Sequence, residues 1–579
     1  MLFGSLQMAG SALNVSSLGI QVTGQNLANV NTPGYAREQL ILETSNTLKY
    51  GRNVIGTGVQ ASGVVQIVDQ YLEERLRNAV SDTADSGTQY RYTNELEALV
   101  GEFSENDLST SLDTFFNSIA NILNNPETVS YRKMAVEEGG ALAEKIRKIS
   151  GSLTTMRHSI NKSVGDAAEE INLLTEQIRQ LNMGIAKLES GRSPGTEATS
   201  LRDDRQLALT ALSQIVNIKV SEDADSGAVT VSCGGDILVA GTYREEVYVN
   251  HETDSRGLTK AMLVTGSLKS NLNLSAGAVA GMYEARDTIL GGFAAELDYF
   301  THRMIESFNA IYTSGQGLDG YSTLTSLQGL DDPDAVLGTV GFDYPIQNGS
   351  FSLFVTDAKT KVSKEESVTV EVKDVEKVDP FSLKTPKPAE GTTLNDLIDR
   401  INGIEHLSAE LTSRNELKIT SDSPDVTFAF GKDTSGLLAA MGINTFFTGT
   451  GSADVGVHSM LETDPAKFAA SSDGIGKDTL NAVKLAAMPE TPSARFDNMT
   501  ITGYYRLIID KTAIAGGTVK AIATADASYQ STLQSHRDAV SGVNPDDETI
   551  NLLVYQRAYQ ATSKYVTAIN EMLDYLLQI

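Results

Sequence analysis

From Leu6 to Val30 the chain repeats apolar or small residues at alternating steps of three and four: Leu6, Ala9, Leu13, Ser16, Ile20, Thr23, Leu27, Val30. Its last stretch does the same with Leu552, Tyr555, Tyr559, Thr562, Val566, Ile569, Leu573 and Leu576. This spacing lines one face of a helix with side chains that require a partner helix. The two stripes predict terminal helices that meet each other and then pack against further copies. Small or polar residues at Ala9, Ser16 and Thr23 predict an N-terminal helix that is marginal alone and stable once docked. Pro33 lacks a backbone donor and Gly34 permits positive φ, so the helix ends in a turn over Asn29, Val30, Asn31, Thr32, Pro33, Gly34 and Tyr35. Tyr35 to Leu42 then reads as extended.

Between the ends the texture alternates. Short strands are expected near Val54–Val59, a helix over Asp69–Val80, and a polar stretch to Ser86. Helical spacing returns at Tyr92–Leu99 and at Leu108–Leu123, and Pro126 closes it. The longest apolar periodicity runs from Leu142 to Leu188, with one slip at Ala167, and predicts a helix of about 70 Å. Gly191–Gly195 stops it, and Leu201–Ile215 forms another helix. Alternating runs around Ile218, Val229–Val231 and Ile237–Val239 predict hairpins, a helix spans Ala278–Tyr312, and a second β-rich region carries Phe351–Val355, Val368–Val372 and Leu417–Thr420. Leu394–Ile401 is a helix inside that region, and Pro380, Pro386 and Pro388 mark a loop. Gly503–Ser541 leads helically to the terminal helix, whose start at Asn544–Pro545 has a capping Asn, a first-turn Pro and three acids. The expected fold class is α+β multidomain: a long-helix bundle rod with paired terminal helices and inserted β-rich domains. The expected domains are 1–45 plus 541–579 (terminal, inner core), 46–215 plus 277–325 plus 456–540 (helical rod), 216–276 (β-rich) and 326–455 (outer β-rich insert).

Three stretches resemble a known family. Ala28–Arg37, with Asn29, Asn31, Thr32, Pro33, Gly34 and Tyr35, is similar to the N-terminal signature shared by rod, hook and hook-associated proteins of the bacterial flagellum. Leu201–Arg202–Asp203–Asp204–Arg205–Gln206–Leu207, and Ser541–Asn544 followed by Leu552–Ala561, resemble the family of flagellar hook-associated protein 1. Pro545 stands where relatives typically have Leu. The resemblance covers both ends and the helical body, and is weak from about 325 to 455. It implies a secreted structural subunit, exported unfolded through the flagellar type III apparatus, that forms a ring at the hook–filament junction. The partners it implies are further copies of itself, hook protein, the next junction protein and a flagellar export chaperone.

Charge narrows the alternatives. The chain has 74 acidic and 46 basic residues, a formal net charge of −28. That disfavours nucleic acid and anionic membrane surfaces. No apolar run approaches the length of a membrane span, and no cleavable secretory signal is evident. Cys233 lies in an alternating run and reads as strand packing. The six histidines show no ligand spacing, and Asp331–Asp334 lacks the Gly and closing Glu of a calcium loop. His302, Tyr555 and Tyr559 read as helix-face packing, and Asn29 and Asn31 as turn and cap residues or, alternatively, inter-subunit contacts. No phosphate loop or nucleophile turn is present. The expectation is therefore no catalytic site, no cofactor and no metal, with an assembly interface made of Leu6, Leu13, Ile20, Leu27, Val30, Leu552, Tyr555, Tyr559, Val566, Ile569, Leu573 and Leu576. Two rival readings stay open: a flagellin-like or hook-like subunit of a long polymer, and an exported adhesin or enzyme-bearing filament protein with a binding or hydrolytic site in the 326–455 insert.

Overall fold

Helices Leu2–Ala28 and Pro545–Leu577 lie side by side, so the two ends of the chain meet. The structure is a computed structural model that describes residues 2–50, 53–101, 107–189, 197–254, 257–266, 270–357, 359–360, 362–372 and 391–577. Gly191–Gly195 and Pro380, Pro386 and Pro388 lie outside the described residues. The chain is α+β and divides into two compact units: residues 1–93, 156–289 and 516–579, and residues 94–155 and 290–515.

In the first unit, the strands Glu38–Thr44 and Val59–Gln66 pair antiparallel beside the N-terminal helix. A four-stranded antiparallel meander, Lys219–Arg244, buries Val229, Val231 and Cys233 on one face. Burial pushes the Cys233 thiol up to about 12, as expected of a strand residue that packs and does not react. Leu533 of the helix Ile501–Ser541 closes on Leu76, Ala79 and Val80.

Within the second unit, the core is aromatic. Phe115, Phe308, Phe446 and Phe447 stand with ring centroids 4.8–5.5 Å apart, in the tilted and edge-on contacts that such rings prefer. Asn309 fixes this arrangement by accepting from the Phe446 and Phe447 N–H groups and donating to the Phe447 carbonyl. Two three-stranded antiparallel sheets, within residues 323–431, share a core with the capped helix Leu394–Asn402. Asp332 accepts the Asp334 N–H, so the acidic Asp331–Asp334 run forms a turn that receives the start of that helix through the Pro333 carbonyl.

Three elements differ from the sequence expectation. The helix over Asp69–Val80 does not stop in the polar stretch but runs from Gln70 to Val100. Thr83, Ser86, Thr88 and Thr93 each return their hydroxyl to the carbonyl four residues back, so these polar side chains are satisfied without leaving the helix. The longest helix begins at Val129, well before Leu142. Gly139, which interrupts its apolar pattern, is where the Phe446 ring sits: a Cβ there would lie 2.6 Å from it. The run Ala278–Tyr312 contains a π-helical turn at Ala285–Ile289. There the buried Arg286 donates to the Ala261 carbonyl and to Asn161.

Candidate functional site

The pairing of the terminal helices rests on their small residues. Ala9, Ser16 and Thr23 are buried, whereas Leu6, Leu13, Ile20, Leu27 and Val30 of the same stripe are half-buried. The helices come close at Gly19, where an added Cβ would stand 2.5–2.7 Å from the Tyr555 ring. On the C-terminal helix, Ile569 is buried, and Leu552, Tyr555, Val566 and Leu573 are half-buried. Tyr559 is 42% exposed, and the Leu576 side chain lies outside the described ones. The Asn544 side chain accepts the Asp546 N–H and so caps the C-terminal helix.

This helix has a second apolar face. Ile550, Val554, Ala561, Tyr565, Ala568, Met572 and Tyr575 recur at steps of three, four and seven. All are exposed: Ile550 by 59%, Val554 by 58% and Tyr575 by 73%. A contiguous apolar stripe of this length on a surface helix marks an interaction site.

A polar joint fastens the signature turn to the body of the first unit. Asn26, buried to 1%, donates to the Glu38 carbonyl and accepts from both the Glu38 N–H and the Tyr35 hydroxyl. Gly34 takes a φ of +80°, which strains any other residue, and packs so closely on Leu207 that a Cβ, 2.5 Å from its side chain, would have to displace it. Thr32 donates to Asn29, while Asn31, Thr32 and Pro33 are exposed. Arg537 donates to the Gly34 carbonyl at 3.0 Å and to Glu73 at 3.1 Å, and Ser541 accepts the Arg37 N–H at 2.8 Å.

The other side of the joint is the Leu201–Leu207 motif. Arg202 binds Glu189 and Glu222, and Arg205 reaches Glu222, Asn182 and the Gly227 carbonyl. Gln206 bridges Glu73 and Arg77. Asp203 Oδ1 accepts the Ala36 N–H at 3.1 Å and the Gln66 Nε2–H at 2.6 Å. Burial, with the charge of Glu38 adding to it, pushes the Asp203 carboxyl up to about 7. A cavity of about 510 Å³ opens here, with Gly34, Asp203, Gln206 and Arg537 in its wall.

The motif residues were visible in the sequence, but their partners were not. Asn26, Glu38, Gln66, Glu73 and Arg537 carry the joint with no local signal beyond a polar residue, Asn26, on the buried side of an apolar helix. Among the described residues, no group of three or more His, Cys, Asp or Glu could hold a metal, and no helix is long and apolar enough to cross a membrane.

The paired chain ends, the β-hairpin beside them and the Gly34 turn thus belong to one compact unit. Residues 536–579 match the family described as flagellar basal body rod FlgEFG protein C-terminal. Residues 93–325 match the FlgK helical domain of flagellar hook-associated proteins. Over 99% of its length the chain is 24% identical to flagellar hook-associated protein 1 of Salmonella typhimurium, covering 99% of that protein. It is 23% identical to the Bacillus subtilis protein of the same name over 99% of this chain and 97% of that one. The flagellar hook junction protein FlgK from Burkholderia pseudomallei shares the fold with a TM-score of 0.50 and 16% identity, over 81% of this chain and 100% of that one. Together these matches make the chain similar, over nearly its whole length, to the flagellar hook-associated proteins of the FlgK family, structural components of the flagellum.

Proposed function

We propose that the chain is a subunit of the ring that joins hook to filament. It leaves the cell unfolded through the flagellar export route with a chaperone. It then assembles with hook protein below and the next junction protein above. The terminal domain (1–45 with 541–579) forms the inner core, the helical parts (46–215, 277–325 and 456–540) continue the wall, and the β-rich parts (216–276 and 326–455) face outward.

One observation carries this reading: the C-terminal helix has two apolar faces and spends only one of them on the N-terminal helix. The faces divide the labour. The Leu552–Leu573 stripe holds the chain's own ends together, and the Ile550–Tyr575 stripe packs against neighbouring copies, alongside the half-buried Leu6, Leu13, Ile20 and Leu27. Burying one such side chain stabilises by roughly 1.5–3 kcal/mol, so a handful per subunit offset the cost of ordering and docking the helices and the repulsion between acidic subunits.

The test is assembly by charged variants at each face. Val554→Asp and Met572→Asp should leave the monomer folded, by circular dichroism and elution volume, and abolish filament attachment. Val566→Asp or Leu573→Asp should abolish attachment and also separate the terminal helices. Normal filaments on cells carrying Val554→Asp with Met572→Asp would sink the two-face reading.

A further inference from the structure

We propose that Asp203 is the proton-sensitive catch of the joint, holding the signature turn on the helical body while protonated and loosening it when it ionises. The inference rests on the geometry of the first unit and is independent of the junction reading.

Two acids meet at this joint from different parts of the chain, Glu38 buried and Asp203 half-buried. Glu38 begins the strand after the turn and is 6% exposed. Among the described residues its Oε1 has no hydrogen-bond partner. Asp203 faces it from the helix Thr199–Ile215 and spends Oδ1 on both available donors, the Ala36 N–H and Gln66. Its Oδ2 has no hydrogen bond among the described residues, which leaves it free to carry a proton. The cation that acts on Asp203 most strongly is Arg537, and that guanidinium is already committed to Glu73 and the Gly34 carbonyl.

Of the other charged groups around the catch, Arg37 lies between Ala36 and Glu38 in the chain with its Nε lacking a hydrogen-bond partner among the described residues, and the following are engaged elsewhere. Arg77 and Glu73 of the helix Gln70–Val100 are tied through Gln206. Arg202 is held by Glu189 and Glu222, and Glu197 accepts the Gln66 N–H. Tyr35 feels Glu38, Asp203 and, from the C-terminal helix, Glu548, and its hydroxyl stays protonated. Because Asp203 lines the cavity, solvent can deliver and remove its proton without unfolding the joint.

The direction follows from linkage. The folded chain retains a proton that an unfolded chain releases near pH 4. The stabilisation is complete below that value and is lost as the pH rises through about 7. Between about pH 4 and pH 7 each pH unit favours the open joint by up to about tenfold, and above about 7 there is no further change.

The experiment is a pH titration from 5.5 to 8.5 of the ¹⁵N-labelled full chain by TROSY NMR, following the Ala36 amide and the Gln66 side-chain amide. The wild type should titrate with a midpoint near 7. Asp203→Asn, which keeps the acceptor oxygen and loses the ionisation, should show no titration and should hold the turn closed at pH 8.5. Glu38→Gln should move the midpoint to lower pH, a shift that a merely structural Asp203 would not show. A flat wild-type response, a transition that survives in Asp203→Asn, or an unchanged midpoint in Glu38→Gln would each overturn the proposal.

Discussion

Gly19 offers a sharp test of the terminal pairing. A Cβ at this position would stand 2.5, 2.6 and 2.7 Å from Cδ1, Cε1 and Cγ of Tyr555, about 1 Å closer than carbon atoms tolerate. Cγ is the root of the ring, so relief requires a change of the Tyr555 rotamer or a parting of the two helices. Overpacking of this kind costs about 1–3 kcal/mol. Gly10, in the same helix, has nothing within 4 Å of its would-be Cβ. There an alanine brings only the helix-propensity gain, about 0.5–1 kcal/mol. Gly10→Ala should therefore stabilise the N-terminal helix. Gly19→Ala receives the same gain less the clash, and should fall below Gly10→Ala by about 1–3 kcal/mol. Hydrogen exchange of amides in Leu2–Ala28 reads this directly, as a drop of roughly fivefold to a hundredfold in protection between the two variants. Equal protection in both would refute the helix register described above.

Three further outcomes are expected. Arg537→Ala strands Glu73, whose side chain is only 6% exposed, and should cost about 3 kcal/mol in urea denaturation of the full chain. Phe446→Ala empties the centre of the second unit's aromatic core and should cost about 3–5 kcal/mol by the same measurement. His458 is buried, accepts the Met460 N–H through Nδ1, and has its pKa held below the usual value by burial. Its contribution is present above about pH 6.5 and is lost as the pH falls through the lowered value. Thermal melts between pH 7.5 and 5 should show that loss in the wild type, and His458→Asn should show less of it.

Much of the architecture was legible because it is periodic. The terminal stripes, the turn at Pro33–Gly34, the helix Leu108–Asn124 and the cap at Asn544 are all set by residues within a few positions of one another. What escaped is set across the chain. Nothing near Gly139 announces the Phe446 ring that fills its place, and nothing near Asp69–Ser86 says that its hydroxyls will bond back along one unbroken helix. The joint shows the same division. Its two motifs stand out locally, but Arg537 and Glu73 are separated by more than four hundred residues and have no shared pattern. The heptad positions also concealed a choice: the small residues Ala9, Ser16 and Thr23 read as weak points in a seam, yet they are the buried ones, because two helices with an aromatic between them come together where side chains are smallest.

The most direct measurement is electron microscopy of flagella from the source organism after deletion of the gene for this chain. A junction subunit predicts hooks of normal length with no filament attached, restored by the wild-type chain and not by Val554→Asp with Met572→Asp. Filaments that remain attached to hooks after deletion, or hooks that fail to form, would contradict it.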